Sequence, residues 1–304
     1  MADAEGLNSK VRQEKSKARR ALRAFSKFAL KRDVFFVHGW GDEANICWTY
    51  PYTEKGVNNA KDWEYTIEDW LGKLVTNKDE KVHFIKLVKD ESRVALKCDA
   101  KTGEISIDID QDESYYYENF FQFAELLKEK IRLQKTSQDF DIVCHSMGGL
   151  DSVAAIALDK ETDTTRTIKS PGIKGVKLLI TVSTPHQGSP AANISDTKLA
   201  EIVMRRSKYI RIQGSNMAPK APFIKLVNSA NARNTLLNRI SFLHMFGGGD
   251  DIVVPTSSYK IKKAGLVTDN FKIYPPLSLA RHSQVMGITQ DPRMHLEIIK
   301  LLSS

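Results

Sequence analysis

The 304-residue sequence predicts an α/β fold, a mostly parallel sheet covered by helices on both faces. Apolar runs of strand length recur at 33–37, 82–88, 140–144, 176–182, 240–246 and 271–274. Between them stand stretches whose apolar residues repeat at helical spacing. Several of the runs end in clusters of Gly, His, Ser or Asp, at the strand ends where open α/β sheets place their sites.

The elements follow in order. Residues 7–30 are expected as one long helix, in which Leu7, Val11, Ala18, Leu22, Phe25 and Ala29 form a narrow apolar stripe among Lys and Arg. Docking of that stripe on the body is preferred, because Phe25, Phe28 and Leu30 run straight into the first strand. Peripheral contact with an anionic membrane and a partner-binding arm are the other uses the pattern allows. The first strand, D-V-F-F-V, ends in His38-Gly39-Trp40-Gly41. Residues 62–75 read as a helix with Trp63, Ile67, Trp70, Leu71 and Leu74 on one face. Two alternating runs, 93–98 and 104–110, flank Lys101-Thr102-Gly103 as a hairpin. Residues 115–133 are expected to be helical and lead to the strand at 140–144.

Beyond that strand, residues 150, 153, 154, 157 and 158 are apolar, the spacing of a helix face. Residues 190–240 then interrupt the alternation with two helical stretches, 197–211 and 221–239, in the position of a cap or lid. Ile202, Val203, Met204, Tyr209, Ile210, Ile212, Phe223, Ile224, Leu226 and Val227 are candidates for an acyl-binding surface. The alternative is that they are the packed faces of two ordinary helices. A terminal helix is expected at 292–302. The organisation is thus a basic N-terminal helix, 1–32, and one domain, 33–304, carrying the insertion.

Charge is unevenly placed. The net charge is +8, but residues 1–32 hold ten Lys/Arg against Asp3, Glu5 and Glu14, a surplus of seven. The rest of the chain carries the remaining +1, which argues against a nucleic-acid-binding body. Cys47, Cys98 and Cys144 are too few and scattered for a disulfide framework. No run has the length of a membrane span, and no secretory h-region is visible. These features are read as those of a cytoplasmic protein; a secreted one whose leader had been removed would look the same.

The chemistry centres on Ser146. It stands in D-F-D-I-V-C-H-S-M-G-G-L, where a strand gives way at once to a helix. That turn is the geometry of a nucleophile elbow, which lifts a hydroxyl above the sheet. Small residues must flank the serine; Gly148 and Gly149 do so, and Cys144 replaces the usual first glycine. Acyl transfer also needs a general base and a carboxylate to orient it. Asp250 and Asp251 follow a later strand and His282 follows the last, giving the chain order Ser, Asp, His.

With these residues in view, the chain resembles an α/β-hydrolase of the lipase and carboxylesterase group. H-G-W-G at 38–41 is similar to the family's H-G-x-G oxyanion segment, and H-S-M-G-G at 145–149 matches the lipase elbow. S-T-P-H-Q-G-S at 183–189 resembles the T-P-H-x-G-S segment of lipases, and G-G-D-D-I-V-V-P at 248–255 the acid loop. The resemblance runs from Asp33 to the C-terminus, without the hairpin at 92–110. It implies Ser146 as nucleophile, His282 as base, and the backbone amides of Trp40 and Met147 as oxyanion donors. Asp251, four residues before Pro255, takes the place of the family's acid, with Asp250 as the alternate. His295 is the alternate base, although a partly exposed histidine of the terminal helix is the ordinary reading. His186 is expected to hold its loop and His38 the oxyanion segment, while His83 and His244 are expected to pack in strands.

No metal or cofactor is expected. Asp108, Asp110 and Asp112 alternate like calcium ligands, but Glu113 and Asn119 stand where an EF-hand needs Gly and Glu. Gly247–Gly249 lack the Lys-Ser/Thr of a phosphate loop. The implied activity is hydrolysis of carboxylic esters, with medium- or long-chain acyl esters or lipids as substrates. A phospholipase, thioesterase or acyltransferase would carry the same residues, and a non-catalytic module on the same fold is the competing class.

Overall fold

The computed structural model describes residues 2–39, 48, 65–85, 87, 94–98, 105–109, 120–159, 168–190, 217–248, 269–274, 289 and 291–304. Helix α1 (Ala2–Arg23) is followed by β1 (Asp33–Val37), α2 (Ile67–Leu74), α3 (Lys78–Lys81) and β2 (Val82–Ile85). Next come β3 (Val94–Cys98), β4 (Ile105–Ile109), α4 (Phe120–Gln134), β5 (Phe140–His145), α5 (Met147–Ala157) and β6 (Val176–Val182). Helices α6 (Pro222–Val227) and α7 (Ala230–Arg239), strands β7 (Ile240–Gly248) and β8 (Asp269–Tyr274), and α8 (Pro292–Ser303) complete the order.

Six strands form one sheet in the order β2-β1-β5-β6-β7-β8, every neighbouring pair parallel. Parallel neighbours need covered crossovers, so both faces should be buried. In the central strands β1, β5 and β6 they are, and strand alternation divides the core in two. Phe35, Val37, Ile142, Cys144, Leu179, Leu243 and Met245 face α4, α5, α6 and α7. Val34, Phe36, Val143, Leu178, Ile180, Val182 and Phe246 face α1, α2 and α8. The expected hairpin is present as β3 and β4, antiparallel, with Val94 opposite Ile109 and Cys98 opposite Ile105.

Three of the boundaries that differ from expectation have a local reason. Helix α1 ends at Arg23 and not Leu30, because the chain beyond it bonds to distant partners. The Phe28 amide donates to the Leu74 carbonyl at 2.9 Å, and the Asn77 side chain holds both the amide and the carbonyl of Leu30. Helix α2 begins only after Thr66, whose hydroxyl accepts from the Asp69 amide while the Asp69 carboxylate accepts from the Thr66 amide, a capping box. The stretch expected as one helix at 221–239 is two. Asn228 closes α6 and the Ser229 hydroxyl caps α7 by accepting from the Ala232 amide.

The second half of the expected lid surface is core. Phe223, Ile224 and Val227 are buried, Leu226 is partly buried, and the Phe223 ring meets Phe120 and Phe121 edge-on at 5.0 Å. For these residues the packed-helix reading holds. Ile202, Val203, Met204, Tyr209, Ile210 and Ile212, with the helix expected at 197–211, lie outside the described residues.

The apolar stripe of α1 packs on the body. Val11, Ala18 and Leu22 are buried, and Leu22 belongs to the same core cluster as Ile298, Ile299 and Leu302 of α8. Ion pairs fix the contact: Arg293 donates to Glu14 at 3.0 Å and to Asp291 at 2.7 Å, and Lys15 lies 3.9 Å from Asp291. Burial would raise the Asp291 carboxyl pKa, but Arg293 and Lys15 outweigh it and hold the group below its ordinary range.

Candidate active site

Ser146 occupies the junction between the last residue of β5 and the first of α5. Its backbone sits at φ 51° and ψ −124°, a region that L-residues with a side chain rarely adopt. Strain of this kind persists only where the surroundings over-determine it. Here the Ser146 amide donates to the Val182 carbonyl at 2.9 Å, and the Ser146 carbonyl accepts from the Gly149 amide at 3.1 Å. The side chain does not cap the helix behind it. Met147 opens α5, so its amide lies in the first turn, where the helix dipole favours negative charge.

The glycines around the serine are required by close approach. A Cβ on Gly39 would lie 2.8 Å from the Ser146 Cβ and 2.9 Å from the His145 Nδ1. One on Gly148 would strike the His38 carbonyl, and one on Gly149 the Thr184 side chain. The loop after β1, the elbow and the loop after β6 are therefore packed closely together. Cys144 fits where the glycine of the usual motif stands: it is buried in the core and its thiol donates to the Ile180 carbonyl at 3.1 Å.

The histidines expected to be structural are held by their neighbours. At His38 the Leu87 amide donates to Nε2 at 3.0 Å, so the ring proton is on Nδ1 and is donated to the Gly39 carbonyl at 2.8 Å. This locks the segment leading to Trp40. His186 is buried, with Nε2 3.1 Å from the Thr181 hydroxyl, and its carbonyl accepts from Asn228 at 2.6 Å. Burial lowers its pKa to about 3, so it is neutral. His83 stacks on Phe35 at 4.8 Å and His244 on Phe246 at 6.4 Å.

His295 differs from the expectation of partial exposure: it is wholly buried. Its Nε2 lies 2.6 Å from the Thr289 carbonyl, and burial lowers its pKa to about 4. Nε2 donates to that carbonyl, and the buried Nδ1 has no hydrogen-bond partner among the described residues. Of the other site residues, Ser146 and Met147 are described, whereas Trp40, Asp250, Asp251 and His282 lie outside the described residues.

Several contributors were not expected from the sequence. Trp48 is fully buried, its indole donates to the Val37 carbonyl at 3.2 Å, and its ring meets His145 edge-on at 6.2 Å. It fastens the chain beside the elbow, and a lone tryptophan outside any periodic stretch gave no signal of that. Ser183, at the end of β6, also has a positive φ, 47°, and its amide donates to the Phe246 carbonyl at 2.8 Å. Asp151, one turn into α5, is fully buried, and neither oxygen has a hydrogen-bond partner among the described residues. Burial pushes its pKa well above the ordinary value of a carboxyl, because the charged form is disfavoured away from water.

With the elbow and its neighbours placed, similarity to known proteins can be stated. The family of PGAP1-like alpha/beta domains matches residues 105–275, more than half of the chain and the part that contains the elbow. No curated protein matches it. Among solved structures, phospholipase PlaB from Legionella pneumophila is similar over 90% of this chain and 60% of its own, with 13% identity and a TM-score of 0.54. The mature form of Bacillus licheniformis lipase BlEst2 aligns over 92% of this chain and 95% of its own, with 16% identity and a TM-score of 0.49. This chain thus spans three fifths of the phospholipase's length. The fold is that of the α/β-hydrolases.

Proposed function

This chain belongs to the family of PGAP1-like alpha/beta domains, and on that premise we propose that it hydrolyses carboxylic esters through an acyl-enzyme on Ser146. One observation carries the reading: a non-glycine residue strained at φ 51° between β5 and α5, with Gly39 pressed against it. Backbone strain of this kind clusters at active sites, and Ser146, unlike Ser183 with its similar positive φ, stands at the strand-to-helix turn where a nucleophile is presented. His282 is the base that takes the Ser146 proton, and Asp251 orients it, with Asp250 as the alternate. The amides of Met147 and Trp40 stabilise the oxyanion of the tetrahedral intermediate. Collapse expels the alcohol, which receives the proton from His282; water then repeats the sequence and releases the acid.

Esters of medium or long acyl chains are the proposed substrates, with lipids favoured. The similar fold of a phospholipase supports that choice, as does the apolar content of residues 190–216. Those residues are proposed to cover the acyl chain, since the packed helices after them leave the covering role to the first half of the insertion. Each methylene buried there would contribute about 0.8 kcal/mol.

Nitrophenyl esters of graded chain length test the proposal. Ser146→Ala and His282→Ala should each lower kcat on the order of a thousandfold or more while the protein stays folded. Asp251→Asn should lose far more activity than Asp250→Asn, and turnover should rise from acetate to longer acyl chains. A folded, fully active Ser146→Ala protein would overturn the reading.

A further inference from the structure

The cationic face of α1 has no role in that chemistry, and its place in the fold gives it one. With Val11, Lys15, Ala18 and Leu22 buried, the opposite side of the helix carries Lys10, Arg12, Lys17, Arg20 and Arg23, all exposed, with Lys27 following. These residues span about 20 Å of helix. The acidic residue within that stretch, Glu14, is turned to the body and paired with Arg293. Residues 10–27 thus contribute no other acidic side chain to the outward face, which is a strip of positive charge on a chain whose remainder is close to neutral.

Its orientation follows from its partners. Lys31, just before β1, donates to the carbonyl of Ser304 at the end of α8. The C-terminal end of α8 therefore lies at the edge of the sheet where strands begin. Twelve residues earlier, Asp291 and Arg293 mark the other end of α8, toward the edge where strands finish and where Ser146 stands. Glu14 and Lys15 bond to Asp291 and Arg293, so the N-terminal half of α1 reaches the Ser146 edge.

We propose that the outward face of α1 docks on an anionic phospholipid bilayer, which sets the Ser146 edge of the sheet beside the surface at the N-terminal end of the strip. The proposal rests on the reading of the chain as a hydrolase of acyl esters only for the purpose of the docking, not for the docking itself. Because the apolar stripe is engaged with α8, adhesion is by charge and not by insertion, which distinguishes it from an amphipathic helix buried in the interface. Such adhesion is strongly screened by salt. A lipid surface suits a strip one helix wide on an otherwise neutral body better than a nucleic-acid groove does.

The test uses the full chain and two vesicle compositions, pure phosphatidylcholine and an equimolar mixture with phosphatidylserine. The protein should sediment with the mixed vesicles, not with the neutral ones, and should be released by high salt. Lys10→Gln, Arg12→Gln and Lys17→Gln combined should weaken that binding on the order of a hundredfold, at about fivefold for each charge. Melting temperature and turnover of a soluble nitrophenyl ester should be unchanged in the same variant, while hydrolysis of an acyl ester presented in mixed vesicles should fall. Equal binding to both compositions, or undiminished binding by the triple variant, would overturn the proposal. So would tighter binding of duplex DNA or RNA than of mixed vesicles by the same face. If Ser146 proved inactive while the charge-dependent binding held, the enzymatic reading alone would fail.

Discussion

At residue 146 the backbone is held where a Cβ is unwelcome, and the strain is measurable apart from any activity. Glycine adopts such conformations without penalty, whereas other residues there are destabilised by on the order of 1–3 kcal/mol. Ser146→Gly should therefore be more stable in urea than Ser146→Ala by about 1 kcal/mol or more. Equal stability would show that the elbow is relaxed. Asp151 offers a test with pH. Its folded pKa lies above its unfolded value, so the folded state binds the extra proton and stability falls as pH rises from the unfolded pKa toward the folded one. Asp151→Asn has no proton to keep. It should gain stability over the wild type as pH rises above the unfolded carboxyl pKa of about 4, seen in urea melts at a series of pH values. A difference that does not change with pH would place a charge-balancing partner beside Asp151.

Among the elements, α1 shows what sequence periodicity can and cannot convey. Its stripe of Val11, Ala18 and Leu22 was legible, because helix spacing is a local property, and the structure buries those residues. Its end at Arg23 was not, because Asn77 and Leu74 supply the bonds that straighten residues 24–30. The pairing of Glu14 with Arg293, far apart in the chain, was likewise invisible. By contrast, the break between α6 and α7 and the late start of α2 had signals in the sequence: Ser229 after Asn228, and Thr66 three residues before Asp69. Leu22 is fully buried between α1 and α8, so Leu22→Ala should cost about 2–5 kcal/mol. Thermal melts should show that loss, with soluble-ester turnover of the folded fraction unchanged. A loss of only about 0.5 kcal/mol, the size typical of an exposed substitution, would mean that α1 is loosely held.

On the scale of the whole molecule, the sheet and its polarity follow from strands read in the sequence, since the central parallel strands β1, β5 and β6 are short apolar runs buried on both faces. The elbow was legible for the same reason: Ser146 ends such a run and Gly148 and Gly149 begin a helix. What surrounds it was not. Thr184 against Gly149, Gly39 against Ser146 and Trp48 beside His145 are contacts between separate loops, and only the assembled sheet brings them together. Such convergence of three strand ends on the elbow, with the strained backbone of Ser146, supports the proposed reading of the protein as a serine hydrolase. Reaction of the intact protein with a fluorophosphonate, followed by peptide mass mapping, tests that reading. The expected result is a stoichiometric adduct on the peptide containing Ser146, absent from Ser146→Ala. A folded protein that takes up no label, or one labelled at another residue, would contradict it.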